Sequence, residues 1–170
     1  MRNIEIKAYA RNLQLLIKNV RFISKSDGQI IKQHDTFFKV PQGRLKLRKF
    51  EEGNAELIYY ERPDTEGPKL SSFEKTNISK ENVDSLCSVL AKALGTTVIV
   101  KKVRQLFLVD QTRIHVDSVE GLGDFLEFEV VLRPDQSPED GEKIAFDLMK
   151  QLEVKEEDLI STAYADLLNR

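Results

Sequence analysis

Residues 112–132 read TRIHVDSVEGLGDFLEFEVVL, and the alternation in this stretch decides the fold. Before the turn Glu120-Gly121-Leu122-Gly123-Asp124, Arg113, His115 and Asp117 share one face, with Ile114 and Val116 on the other. After it, Glu127 and Glu129 alternate with Leu126, Phe128 and Val130. Period two marks an extended strand, because successive side chains point to opposite faces of a sheet. Two such arms joined by a glycine-rich turn predict an antiparallel hairpin over about 112–120 and 125–132.

The same rhythm recurs outward from this hairpin. Asn3, Glu5 and Lys7 alternate with Ile4 and Ile6; Arg44, Lys46 and Arg48 alternate with Leu45 and Leu47; Lys102 and Arg104 flank Val103. Strands are predicted over about 3–10, 29–40, 44–50, 55–62, 69–77 and 97–109, with a loop from Pro63 to Pro68. Helical spacing appears in Leu13, Leu16, Ile17 and Val20 over about 12–23. A second helix starts at the N-cap Ser79, carries Val83, Leu86, Cys87, Leu90 and Leu94, and stops at Gly95. Ser137-Pro138 opens a third, lined by Ile144, Leu148 and Leu152, and a short last helix holds Ala163, Leu167 and Leu168. Short links between strands make the sheet mainly antiparallel.

Five strands thus present charges at every second position. One reading is a half-buried sheet with a solvated face. The other is a closed barrel: the helices bury against the apolar faces, and the charged faces converge inside. Convergent arginine and lysine bind phosphate oxygens. Carboxylates in the same cavity would repel phosphate unless a divalent cation bridges them, and Mg²⁺ binds in that way through one or two carboxylates plus substrate phosphates. The same charges could instead form an internal ion-pair network, but desolvation makes that a poor source of stability.

Composition narrows the field. The chain has 170 residues and a net charge of −2, which predicts one domain over 1–170 and no nucleic-acid partner. The opening MRNIEIKAYA is no secretory signal, and no apolar run is long enough to span a membrane, so the expected location is cytoplasmic. A single cysteine, Cys87, excludes an internal disulfide and reads as a core residue. There is no phosphate-binding G-x-x-x-x-G-K-[ST] loop and no G-x-S-x-G elbow, and His34 and His115 lack helical metal spacing. Phe37, Phe38, Phe125 and Phe128 read as packing groups.

Taken in order, these segments resemble the CYTH superfamily, the triphosphate tunnel metalloenzymes, and within it the class IV adenylyl cyclase branch. Ile4-Glu5-Ile6-Lys7 resembles the family's E-x-E-x-K strand, with Asn3 in place of its first glutamate. Gln33-x-Asp35-Thr36-Phe37-Phe38 followed by Gly43-Arg44-Leu45-Lys46-Leu47-Arg48, then Tyr60-x-Arg62 and Gly67-Pro68-Lys69-x-Ser71, are similar to the branch pattern. So are Lys102-Val103-Arg104, the hairpin from Ile114 to Glu129, and Tyr164-Ala165-Asp166-Leu167-Leu168.

The resemblance implies an α+β fold: a closed eight-stranded antiparallel barrel with a charged interior and helices packed outside. It implies a metal-dependent enzyme that hydrolyses a linear triphosphate or cyclises ATP to cyclic AMP and pyrophosphate. By position, Glu5, Glu127 and Glu129 would hold Mg²⁺ or Mn²⁺, with Lys7, Asp117 and Glu127 catalytic. Lys7, Lys46, Arg48, Lys69, Lys102 and Arg104 would clamp the triphosphate, while Arg44 and Arg62 could lie at the outer rim. The substrate partner is a triphosphate-containing small molecule, and the protein a monomer or homodimer. Asn3 removes one carboxylate, which opens a second reading as a catalytically weak polyphosphate-binding protein. Phe37 and Phe38 stand where thiamine triphosphatases of the superfamily have a tyrosine, which argues against that activity by that route.

Overall fold

The computed structural model describes residues 1–63, 65 and 67–169. Eight strands are present: β1 (Arg2–Tyr9), β2 (Gln29–Phe38), β3 (Arg44–Phe50), β4 (Ala55–Glu61), β5 (Lys69–Ile78), β6 (Thr96–Val109), β7 (Thr112–Val119) and β8 (Gly123–Val131). Four α-helices join them: α1 (Leu13–Ser24), α2 (Lys80–Leu94), α3 (Pro138–Gln151) and α4 (Tyr164–Leu168). The expected strands and helices are all found, within a few residues of their expected ends. Of the loop expected from Pro63 to Pro68, Asp64 and Glu66 lie outside the described residues.

The strands close into one barrel in the order β1-β5-β4-β3-β2-β6-β7-β8. Each pairing is antiparallel. Closure depends on β1, which pairs with β5 on one side and β8 on the other. A register shift between Thr36 and Phe38 bends β2 against β6. It lets Phe37 pack with Val100 and Tyr164, while Phe38 packs with Leu47 and Val83 beneath α2.

The apolar faces point outward, against the helices. Leu16 and Val20 of α1 and Leu148 and Met149 of α3 bury Phe107, Ile114, Val116 and Phe128. Val83 of α2 covers Leu47 and Ala55, and Cys87 packs at the edge of that cluster. Full burial of side chains of this size contributes about 1.5–3 kcal/mol each. Helix ends follow local chemistry. Ser137 and Asp140 form a reciprocal capping box ahead of Pro138. Ser79 occupies the N-cap of α2, but its hydroxyl accepts from the Asn82 side chain instead of a backbone N–H. Gly95 ends that helix at φ +82°, a backbone geometry that favours glycine.

Gly141 fixes how closely α3 approaches β1. A Cβ there would stand 2.5 Å from Cγ1 of Ile4 and 2.7 Å from Cδ2 of Leu132. Ile4 is fully buried and cannot yield. Gly141→Val should therefore destabilise the fold by about 2 kcal/mol, within the usual cost of overpacking. A lower denaturation midpoint with an unchanged slope checks this.

Candidate active site

Inward-facing residues of the strands surround a cavity of about 330 Å³. Strand register explains the company they keep. Lys7 lies opposite Glu127, Glu5 opposite Glu129, and His115 opposite Glu127 on the other side. Glu5, Lys7, Lys46, Arg48, Lys102, Arg104, Glu127 and Glu129 all line this cavity. Asp117 and Lys69, also expected at the site, are buried but lie outside the lining. Asp117 accepts both arms of the Arg104 guanidinium at 2.8 and 2.9 Å, so it fixes that cation. Lys69 donates to the Ser161 carbonyl at 2.9 Å.

The basic side of the cavity is organised by a residue that carried no expected role. Asp35 takes a bidentate bond from Arg48, at 2.9 and 2.8 Å, and its Oδ2 lies 3.2 Å from Lys102 Nζ and 3.5 Å from Lys46 Nζ. Burial opposes the Asp35 charge, yet Arg48, Lys102 and Lys46 outweigh it and hold the carboxyl well below its usual range. Burial, reinforced by Arg48, pushes the Lys46 ammonium down to about 7 despite Asp35. Burial likewise lowers Lys102.

On the acidic side, Glu127 meets Lys7 at 3.7 Å, Arg104 at 3.5 Å and His115 Nδ1 at 3.2 Å. Burial resists its charge, but the His115 hydrogen bond, Lys7 and Arg104 prevail and keep it ionised. Burial raises Glu5 and Glu129, and Glu127 pushes both further up. Two carboxylates raised beside a third that stays ionised mark a cavity short of positive charge on that side.

Ligand atoms of His115, Glu127 and Glu129 lie within 4.8 Å of one another. Two carboxylates and an imidazole suit a divalent ion, and Glu5 faces the same space. A further donor is in place: the buried Oδ1 of Asn3 has no hydrogen-bond partner. The donor set therefore fits a metal. With Glu127 ionised, His115 donates through Nδ1, and that proton must leave before this nitrogen can ligate.

Arg62 lies inside the cavity wall, not on the rim. Its side chain is 4 % exposed, and its one ion-pair partner within 4 Å among the described residues is Glu5, at 3.8 Å. Its Nε and Nη2 are buried without hydrogen-bond partners. Arg44 instead pairs with Asp166 of α4.

One end of the tunnel is crossed by the segment that leads into α4. Ile160 N–H donates to the Lys7 carbonyl, and Ala163, Tyr164 and Ala165 line the cavity. The Tyr164 hydroxyl donates to Asp117 at 2.9 Å, and the Lys7 ammonium sits 3.9 Å above its ring. Asp35, Arg62, His115 and Tyr164 thus join the site without an assigned role in the sequence. His115 sits at an inward strand position between Arg113 and Asp117, which was the available signal; Asp35 lies in a polar run without clear alternation, Arg62 lies one residue past β4, and Tyr164 depends on how the terminal segment docks.

Asp35→Asn leaves the cations of Arg48, Lys46 and Lys102 buried together. The expected loss of stability is about 3–5 kcal/mol, typical of a buried ion pair stripped of one partner. Thermal unfolding should show this loss and its partial recovery in added tripolyphosphate, an anion that can replace the missing charge.

The fold has counterparts among known proteins. A protein of Methanocaldococcus jannaschii named "putative adenylate cyclase" is 24% identical over 139 residues, 78% of this chain and 75% of that protein. The structure of the PH1012 protein from Pyrococcus horikoshii superposes with a TM-score of 0.80 at 24% identity, covering 97% of this chain and 98% of that one. "Putative adenylyl cyclase HpAC1" from Hippeastrum, described as revealing a dominant triphosphatase activity, superposes with a TM-score of 0.68 at 14% identity, over 98% of this chain and 93% of that one. The CYTH domain model matches residues 1–164, and the chain belongs to that family.

Proposed function

We propose that this protein is a divalent-metal-dependent enzyme acting on a linear triphosphate, by hydrolysis or by cyclising a nucleoside triphosphate with release of pyrophosphate. The observation that carries this is Arg62: a buried guanidinium with two unpartnered donor atoms, aimed into a cavity already lined by Lys46, Arg48, Lys102 and Arg104. A permanent cation with donors left over calls for further anionic oxygens, which a phosphate supplies. Family membership and the words attached to the two cyclase-like relatives support the same reading. No helix among the described residues is long and apolar enough to cross a membrane, as suits a small-molecule enzyme.

Arg48 and Arg104 are held by Asp35 and Asp117 with their guanidinium forks pre-set, so little entropy is lost when phosphate oxygens arrive. Lys7, Lys46 and Lys102 add point charges around the chain of phosphates. His115, Glu127 and Glu129 would hold the metal, Mg²⁺ or Mn²⁺, with Glu5 and the Asn3 carbonyl oxygen beside them. When bound, such an ion offsets phosphate charge and orients the nucleophile. Lys69 and Asp117 serve at one remove, Lys69 by anchoring the terminal segment and Asp117 by fixing Arg104. Residues 1–170 would work as one domain, because the terminal segment docks on β1. The second reading, a weakly catalytic polyphosphate binder, rests on Asn3, which supplies no charge where the family pattern has glutamate.

Phosphorus NMR after incubation with Mg²⁺ or Mn²⁺ separates these. ATP converted to cyclic AMP and pyrophosphate marks a cyclase. Phosphate released from ATP or tripolyphosphate marks a hydrolase. Tight binding with no turnover of any triphosphate leaves the binder. Glu127→Gln should lose at least 100-fold in kcat, on the order of one lost transition-state electrostatic contact, with an unchanged circular dichroism spectrum. Excess chelator should abolish wild-type turnover; full activity in chelator would refute the metal site.

Lys46 sets a pH dependence. With its pKa near 7, it is mostly neutral at pH 8 in the free protein. A bound polyanion favours the charged form, so binding at pH 8 takes up a proton and affinity falls as pH rises above about 7. Calorimetry of tripolyphosphate binding in buffers of different ionisation enthalpy should register the uptake. Lys46→Arg, which stays charged, should reduce it.

A further inference from the structure

Residues 158–166 do more than cross one end of the tunnel. They are pinned on both sides of Tyr164. Arg11 bonds Asp158 at 2.6 Å, Leu159 bridges to Ala8, the Ile160 N–H donates to the Lys7 carbonyl at 2.9 Å, and Arg44 pairs with Asp166. Lys69 holds the Ser161 carbonyl. Tyr164 itself is 5 % exposed, so its ring has little freedom once this segment is docked.

Cations expected in the triphosphate clamp meet at this one side chain. Lys7 Nζ lies 3.9 Å and Lys102 Nζ 5.3 Å from its ring centroid, both within the range of cation–π attraction. Lys7 is on β1 and Lys102 on β6, which are not neighbours in the barrel, so strand pairing alone does not set the spacing of their ammonium groups. One ring that both approach ties them together. Arg104 is reached through Asp117. Asp117 Oδ2 accepts from Arg104 Nη2 and from the Tyr164 hydroxyl, each at 2.9 Å. Burial, reinforced by the Asp117 charge, pushes the Tyr164 hydroxyl well above its ordinary range, so it remains a donor.

Packing does not require a tyrosine here. The ring also rests on Phe125, with centroids 5.0 Å apart, beside Phe37 and Val100. A phenylalanine would fill that space equally well, and only the hydroxyl reaches Asp117. Arg104 also meets Glu127 at 3.5 Å, so it stands where the clamp borders the carboxylates that would hold the metal.

We propose that Tyr164 is a positioning residue for the triphosphate reaction: its hydroxyl sets Arg104 through Asp117, and its ring seats the ammonium groups of Lys7 and Lys102. The inference rests on the triphosphate reading of the tunnel. The orientation of Arg104 bears on charge that develops during the reaction, whereas the two lysines hold the phosphates in ground and transition states alike.

The test uses whichever of ATP and tripolyphosphate the wild-type protein turns over. Tyr164→Phe keeps the ring and its packing. Its kcat should fall about tenfold, the order of one hydrogen bond to a charged group, while KM stays within about twofold. Tyr164→Leu should lose kcat to the same extent and also raise KM about tenfold. Arg104→Lys removes the guanidinium fork and supplies a readout that a merely structural role would not move. Adding Tyr164→Phe to it should cost about twofold in kcat at most, because both changes act along one path. A further loss of about tenfold in the double variant, so that the single effects multiply, overturns the role. So does an unchanged kcat in Tyr164→Phe alone, and the triphosphate function then stands. Binding of a triphosphate without turnover overturns it too, since no reaction is left to position for. If the wild-type protein neither binds nor turns over ATP or tripolyphosphate, the triphosphate reading itself fails and the role with it.

Discussion

Desolvated charge is the constraint on which this structure turns. Lys7, Asp35, Lys102, Arg104, Asp117 and Glu127 are all buried inside a barrel of strands. Each would be costly alone. They are tolerable because the register places every one of them against an opposite charge, with Asp35 among three cations and Glu127 between Lys7, Arg104 and His115. The pairing is incomplete at two places. Arg62 has donors to spare, and Glu5 and Glu129 are crowded by Glu127. An excess of donors on one wall and of carboxylates on another is what a polyanion carried with a divalent cation would satisfy together.

The apolar faces set the other half of the design. The helices sit outside because the outward strand positions are isoleucine, leucine, valine and phenylalanine, and those positions in turn force the charged ones inward. Stability and ligand chemistry are therefore separated by the pleat of each strand. A side chain moved by one residue in register would exchange the two roles, so the hydrophobic contacts outside also hold the ligand groups inside in place.

The barrel, its strands and most of the charged lining were legible because period-two alternation survives in nearly every strand. Which residues act together was less so. Asp35 stands in a run, Gln-His-Asp-Thr-Phe-Phe, that has no apolar–polar alternation, so its inward direction is not plain from pattern. Arg62 falls just past the end of β4, where a rim position was equally natural. His115 lacks helical metal spacing, yet its nearest carboxylates come from the neighbouring strand, at separations fixed by the β7–β8 hairpin. Tyr164 belongs to a helix of only five residues, and nothing local to it says that it turns into the tunnel.

The position of β1 has a bearing on how the chain reaches this state. The barrel strand that comes first in chain order closes the barrel, and its partners are residues 69–72 and 125–131. Until those partners exist, Ile4, Ile6 and Ala8 have no sheet to join, and β5 and β8 remain open edges. Pairings between such distant segments carry a large loop-closure cost and form slowly. The seam on either side of β1 is thus the place where an unfinished chain is exposed to strand addition by another copy.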